Sequence, residues 1–301
     1  MRICLQVLAY NVSNSINAML KNAADHVDKI YIAYPSRAWD YHRDFMNTTN
    51  PTKLGEINTS LNCDVEIIKG EWRKDEHTRN ALLEKARHDK FDWMIIQDAD
   101  EFYTLYSWSR LKAILFGEKC TSADSIQVPY LTFWKSPSFV LEGNQEGIKN
   151  GTTTFAINCN NEKLHFSYSR TTTAKRQLYI DEPCYHYSYV LSDSEIKQKL
   201  SSWAHSNDLL SKRLWYHLKW RHWHPGSKML HPGSPWLWTR AVRFPLPQPS
   251  FVGELNFSEP TQKDINLFWA ILDFLYNAKA RIDQFINGLK RVIRATFLSS
   301  I

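Results

Sequence analysis

The chain has 301 residues, of which 43% are hydrophobic and 23% charged, with only 10 Gly. That composition is globular and excludes a disordered or collagen-like chain. A formal charge of +6 and a pI near 8.9 fit an anionic ligand or a membrane surface without naming either.

Five scattered cysteines with no CxxC pair predict a reduced, cytoplasmic protein. The opening MRICLQVLAYN holds an apolar run too short for a signal peptide. No apolar run reaches the ~18 residues of a membrane span, so the sequons at Asn11, Asn47, Asn58, Asn150 and Asn256 carry no expectation of glycosylation.

In chain order, residues 2–9 predict a first strand. Ser13 or Ser15 caps a helix over 16–27 with Ile16, Met19, Leu20, Ala23 and Val27 on one face. Lys29–Tyr34 is a second strand, ended by Pro35; 36–62 is polar and turn-rich; Val65–Ile68 is a third strand. Glu76–His88 predicts a helix with Leu82, Leu83 and Ala86 inward, and Trp93–Gln97 a fourth strand. This alternation is that of a doubly wound, mostly parallel α/β sheet. A helix near 107–117 follows, then strand-like segments at 125–134, 153–158, 163–168, 176–180 and 185–190, read as mixed or antiparallel additions. Ser192 or Asp193 caps a further helix, with Glu195 in its first turn. HPGS occurs at 224–227 and again at 231–234, a paired turn, and 261–298 is helical.

Residues 92–103, DWMIIQDADEFY, carry the strongest chemical signal. Asp is disfavoured inside a strand, so Asp98, Asp100 and Glu101 belong where the strand ends. Ligands of open α/β sheets bind at those carboxyl ends. Three crowded carboxylates need a cation or a proton, and hard oxygen ligands suit Mg²⁺ or Mn²⁺ and hence phosphate-bearing substrates. An acid after a strand also caps helices, but one would suffice. Arg79, in the first turns of its helix, opposes the helix dipole; it faces either a ligand or Glu76.

VLAYN (7–11), TRNALLEKA (78–86) and DWMIIQDADEF (92–102) together resemble the nucleotide-sugar glycosyltransferases of GT-A fold, family 2-like, over the first ~105 residues. The resemblance implies a Rossmann-like GT-A domain over 1–255 and a helical C-terminal extension over 256–301. Within the domain, 1–105 would hold the nucleotide-sugar and 106–255 the acceptor. It implies that Tyr10 stacks on the base beside Ala9 and Asn11, that Arg79 contacts base or ribose, and that Asp98 reaches the ribose. Asp100 would ligate the metal, with Glu101 ligating or orienting and His186 as a further ligand. The cofactor would be Mn²⁺ or Mg²⁺ and the donor a UDP- or GDP-type sugar. Relatives often carry an Asp after the second strand to read uracil; YPSRAW has none before Asp40.

For an inverting reaction the acceptor needs a carboxylate base. Glu142 and Glu146, in an acid-bearing loop expected after 125–134, are the candidates, with Asp181, Glu182 and Asp193 as rivals. His205 is read as helix packing or acceptor contact. The aromatic segment 215–238 suggests an acceptor-sugar wall or a lid rather than zinc or nucleic acid. A nucleotidyltransferase or phosphohydrolase would share the acids, and a non-catalytic carbohydrate-binding module the fold. The expected partners are the donor and a glycan or glycoconjugate acceptor. The basic amphipathic tail, with six Lys/Arg against three Asp over 261–301, either lies on an anionic membrane or closes the core.

Overall fold

Strand β1 (Ile3–Leu8) is buried at every residue, as a central strand covered on both faces must be. The computed structural model describes residues 1–39, 49–120, 122–143, 147–202, 209–255, 257 and 267–298. In it β1 runs parallel to β2 (Lys29–Pro35) on one side and to β4 (Trp93–Ile96) on the other. β3 (Asp64–Gly70) pairs parallel with β2. The crossovers are helices α1 (Ile16–Ala23) and α2 (Asp75–His88).

The period-two alternation of β1 divides the core. Ile3, Leu5 and Val7 join Ile16, Met19 and Leu20 of α1 in one cluster. Cys4 and Leu8 join Leu82, Leu83 and Ala86 of α2 in another. Helices therefore cover both faces, as expected for a doubly wound sheet.

Beyond β4 the strand direction reverses. β8 (Thr152–Asn158) runs antiparallel to β4 and to β6 (Ser125–Trp134). With β7 (Ser136–Gly143) and β13 (Trp238–Arg243) at the edge, the full order is β13-β7-β6-β8-β4-β1-β2-β3. Ten-residue β6 is long enough to serve two sets of neighbours: β11 (Gln177–Tyr179) pairs with its start and β12 (Cys184–Tyr189) with its end. β12 also takes β5 (Glu101–Phe102), placing His186 opposite Glu101.

One sequence expectation is corrected here. The loop expected after residue 134 is strand β7 (Ser136–Gly143), paired with β6 and with β13 (Trp238–Arg243). Val140 and Leu141 are both buried because β13 and the aromatic cluster cover the strand. Three tryptophans of 215–238 are likewise core rather than wall. Trp215, Trp220 and Trp223 pack with Trp134 and Tyr189 into a third core, so their bulk fills the interior. The histidines of the HPGS pair serve the turns. Nδ1 of His224 accepts from Gly226 N at 3.1 Å, and Nδ1 of His231 from Ser234 N at 2.8 Å. A Cβ on residue 226 would sit 2.9 Å from the His224 ring, which is why glycine occupies it.

α3 (Leu105–Leu115) starts at Thr104, whose hydroxyl accepts from Ser107 N at 3.0 Å. α4 (Asp193–Ser202) opens with a capping box: Ser192 N donates to Glu195 Oε2 at 2.7 Å and Glu195 N to Ser192 Oγ at 3.3 Å. α5 (Leu209–Trp215) runs into a π-helical turn at Tyr216–Arg221. The last helix, α6 (Leu267–Leu298), has 32 residues; 261–266, expected to be helical, lie outside the described residues, as does His205. Among the described residues no helix is long and apolar enough to cross a membrane. All five cysteines are unpaired.

Candidate active site

A cavity of about 560 Å³ opens at the carboxyl ends of β1 and β4, the place where open α/β sheets take ligands. Its first wall is the loop after β1, lined by Tyr10 to Ser15. Asn11 holds a left-handed φ of 56°, a conformation Asn tolerates better than most residues. The loop is tied down from 40 residues away. Asn50 donates to Ala9 O at 2.6 Å and Pro35 O at 2.9 Å, and the Thr52 hydroxyl accepts from Val12 N at 2.8 Å. Tyr10 and Trp39 stand 5.7 Å apart, tilted by 54°, and both line the cavity. Ala9 is fully buried beneath them.

The floor is an ion-paired cluster. Arg79 Nη2 donates to Asp98 Oδ1 at 2.9 Å, which settles its partner as Asp98 rather than Glu76. Arg79 is 3% exposed, and among the described residues its Nε and Nη1 find no hydrogen-bond partner. Buried guanidinium protons are costly to leave unpaired, and Arg79 is also part of the cavity lining.

Arg170 approaches from below, out of the turn between β9 (Phe166–Tyr168) and β10 (Thr171–Thr172). Its Nη1 donates to Asp98 Oδ2 at 3.3 Å and contacts Glu101 Oε1 closely. Its Nη2 donates to Ile96 O and Thr154 O, both at 2.9 Å. Burial by itself raises the Asp98 carboxyl, but the guanidinium groups of Arg79 and Arg170 outweigh it and hold Asp98 below the ordinary carboxylate range.

Glu101 does not face the cavity, which corrects its reading as a metal ligand. It is fully buried. Oε1 takes Arg170 and the Tyr130 hydroxyl at 2.8 Å, and Oε2 takes Asp98 N at 3.0 Å. Both oxygens are used in shaping the turn, so Glu101 orients Asp98. Burial raises its carboxyl, opposed by Arg170.

Asp100 does face the cavity. Tyr187 N donates to its carbonyl at 2.7 Å, so the β5–β12 register delivers His186 to the acidic turn. His186 Nε2 lies 3.7 Å from Asp100 Oδ1, and Lys199 Nζ lies 3.9 Å from Oδ2. Lys199 projects from α4, where Ser188 O accepts its proton at 2.8 Å. Burial lowers the Lys199 ammonium, opposed by Asp100 and Asp98.

Of the predicted site residues, Tyr10, Asn11, Arg79, Asp98 and Asp100 converge on one cavity, and His186 adjoins it through Asp100. The predicted bases do not join them. Glu142 sits on β7, 2.6 Å from Arg240 Nε and away from the lining; Glu146 lies outside the described residues. Of the rivals, Asp181 pairs with Lys149, Glu182 with Arg110, and Asp193 accepts from Trp220 Nε1. Sequence reasoning missed Trp39, Arg170 and Lys199. Only Lys199 left a signal, four residues after Glu195 on one helix face.

No family model matches the chain, and no curated protein matches it. Among solved structures, it is similar to a protein of Desulfovibrio desulfuricans G20 named "putative nucleotide-diphospho-sugar transferase". The identity is 10%, over 62% of this chain and 83% of that one, with a TM-score of 0.35. A score that low does not establish a shared fold.

Proposed function

We propose that the chain is a glycosyltransferase of GT-A type that takes its sugar from a nucleoside-diphosphate donor. One observation carries this reading: a single cavity has an aromatic pair, Tyr10 and Trp39, on the β1 side and Asp100 with Lys199 on the β4 side, His186 adjoining through Asp100, with Arg79–Asp98 in its lining. A nucleotide needs that order of groups. The base stacks on aromatic rings, the ribose hydroxyls donate to a carboxylate, and the diphosphate meets cations. The parallel order β3-β2-β1-β4 followed by antiparallel β8 supports the GT-A arrangement.

Asp98, fixed by two guanidinium groups, is the ribose acceptor in this reading. Arg79 lines the same cavity and holds Asp98 in place for the ribose. Asp100 and His186 fit a divalent ion that keeps most of its shell as phosphate oxygens and water. Among the described residues no three His, Cys, Asp or Glu side chains converge to cage one. Imidazole favours Mn²⁺ over Mg²⁺. When bound, such an ion would neutralise charge on the departing diphosphate. Lys199 supplies a fixed positive charge to the same group.

A nucleotidyltransferase would share the carboxylates, but LAYNVSNS lacks the Gly-rich basic loop that cradles a triphosphate. The test is a thermal-shift panel of UDP- and GDP-sugars with and without Mn²⁺. A ligand at 100 times its Kd stabilises by about 2.7 kcal/mol, so a true donor raises the Tm. A panel in which no nucleotide-sugar shifts the melt, with or without metal, overturns the reading.

A further inference from the structure

Helix α6 presents two opposite faces. Trp269, Asp273, Tyr276, Asn277 and Ala280 fall at i, i+4, i+7, i+8 and i+11, one stripe at 100° per residue. This stripe holds the helix to the body. The Trp269 ring stacks on His222 at 4.3 Å, and Lys219 Nζ lies 2.5 Å from Asp273 and 2.7 Å from Asn277. Lys219 is itself fully buried, and Ala280 is 6% exposed.

The far side carries Phe268, Ile271, Phe274, Leu275, Ile282 and Phe285, with no charged residue among them. Phe274 is 71% and Phe285 73% exposed. A soluble monomer rarely leaves so continuous an apolar stripe in water. The apolar face is not free to turn inward, because Lys219 fixes the opposite one.

A second cavity, of about 580 Å³, adjoins the same region. Lys197, Lys212, Arg213, Tyr216, His217 and Arg221 line it with Leu200, and among the described residues no acidic side chain does. His217 stacks parallel to Trp269 at 6.2 Å, so the cationic groove abuts the first turn of α6.

We propose that the outward face of α6 and this cationic groove form one docking surface for a bilayer rich in anionic phospholipid. Phe, Ile and Leu side chains enter the acyl boundary, as on an interfacial amphipathic helix. The Lys and Arg groups of the groove meet the headgroup phosphates. Charge complementarity selects this occupant over a second copy of the chain, whose own cationic groove would be brought close to the first. α4 separates the groove from the donor cavity: Gln198 and Lys199 line one, Lys197 and Leu200 the other. The bilayer thus docks about one helix diameter, ~10 Å, from the donor cavity. The inference does not depend on the donor's identity.

The test is co-sedimentation of the full chain with vesicles of phosphatidylcholine alone and of equal parts phosphatidylcholine and phosphatidylglycerol. Binding is expected to the second only, and to weaken as salt rises. The double variant Arg213→Gln/Arg221→Gln should bind about 30-fold more weakly, at ~1 kcal/mol per surface cation. Phe274→Ser/Phe285→Ser should lose binding while its Tm stays at the wild-type value. Equal binding to neutral vesicles, or none to the anionic ones, overturns the proposal. So does a dimer in sedimentation velocity that Phe274→Ser/Phe285→Ser dissociates. Donor-induced thermal shifts measured on the same variants separate this outcome from any failure of the transferase reading.

Discussion

Arg170 and Asp98, 72 residues apart in the chain, meet with Nη1 3.3 Å from Oδ2, and the same nitrogen contacts Glu101. One guanidinium thus holds a cavity-facing carboxylate and a buried one, and ties both to the strand-end carbonyls of β4 and β8. Arg170→Met would strand Glu101 without a counter-charge. Removing one partner of a buried pair costs about 3–5 kcal/mol, and a loss near the low end is expected because the Asp98 side chain is 34% exposed. Urea unfolding measures it. Adding Glu101→Gln removes the stranded charge and should restore at least ~1 kcal/mol, the coupling typical of residues in direct contact. A strictly additive double variant would show that the pair is not coupled.

Tyr10→Ala tests the aromatic end of the cavity. Base stacking on an aromatic ring contributes roughly 1–3 kcal/mol. Affinity for UDP or GDP, whichever stabilises the wild type, should fall about 5- to 150-fold by calorimetry. The Tm without ligand should barely change, since Tyr10 is only partly buried. Unchanged affinity would remove Tyr10 from the site.

Asp100 and Lys199 should separate by their metal dependence. Asp100→Asn is expected to abolish the gain in nucleotide affinity that Mn²⁺ gives and to leave metal-free binding in place. Lys199→Met should weaken diphosphate binding with or without Mn²⁺, by about 10- to 150-fold for a charged hydrogen bond of ~1.5–3 kcal/mol. Nucleoside monophosphate binding should change less. Calorimetry of UDP against UMP, with metal and with chelator, reads all of these.

What was legible in the sequence was local. The strands around Ile3–Leu8, Lys29–Pro35 and Trp93–Ile96 stand out because central parallel strands are continuous apolar runs. The Ser192–Glu195 box marks a helix start by residue type alone. Tyr10, Arg79, Asp98 and Asp100 fall at strand and helix ends, where position itself carries meaning. Long-range register was hidden. Nothing near Arg170 announces that it crosses beneath Asp98, and Glu101 is turned inward by Arg170 and Tyr130, partners 69 and 29 residues away. β7 was misread as a loop because its burial comes from β13, 95 or more residues later, rather than from its own SPSFVLEG pattern.

Acid stability should depend on Asp124. Its carboxyl accepts from the backbone N of Lys175 and of Arg176, both at 3.0 Å, and from Arg176 Nη2 at 2.9 Å. Burial raises the group, but these bonds prevail and bring it from 3.8 down to about 2. A depressed carboxyl stabilises the fold fully above its unfolded value of 3.8, and the gain is lost as pH falls through about 2. Arg176 is 63% exposed, so solvent screening limits the contribution to about 1–2 kcal/mol. Urea midpoints should fall across that window in the wild type and more shallowly in Asp124→Asn. Parallel pH profiles would exclude the group.

One buried cation ties α6 to the π-helical turn. Lys219 Nζ donates to Asp273, Asn277 and Lys228 O, at 2.5, 2.7 and 2.8 Å. Burial lowers its ammonium and Asp273 opposes the shift. Lys219→Met leaves Asp273 and Asn277 without their shared donor, a cost of about 3 kcal/mol or more for breaking such a pair. Most of that loss falls on docking of the helix, because Asp273 and Asn277, the side chains Lys219 donates to, are both on α6. Hydrogen exchange should accelerate over residues 267–280 and remain at wild-type rates in β1, β2 and β4. A uniform acceleration across the sheet would show instead that α6 and the α/β core unfold as one unit.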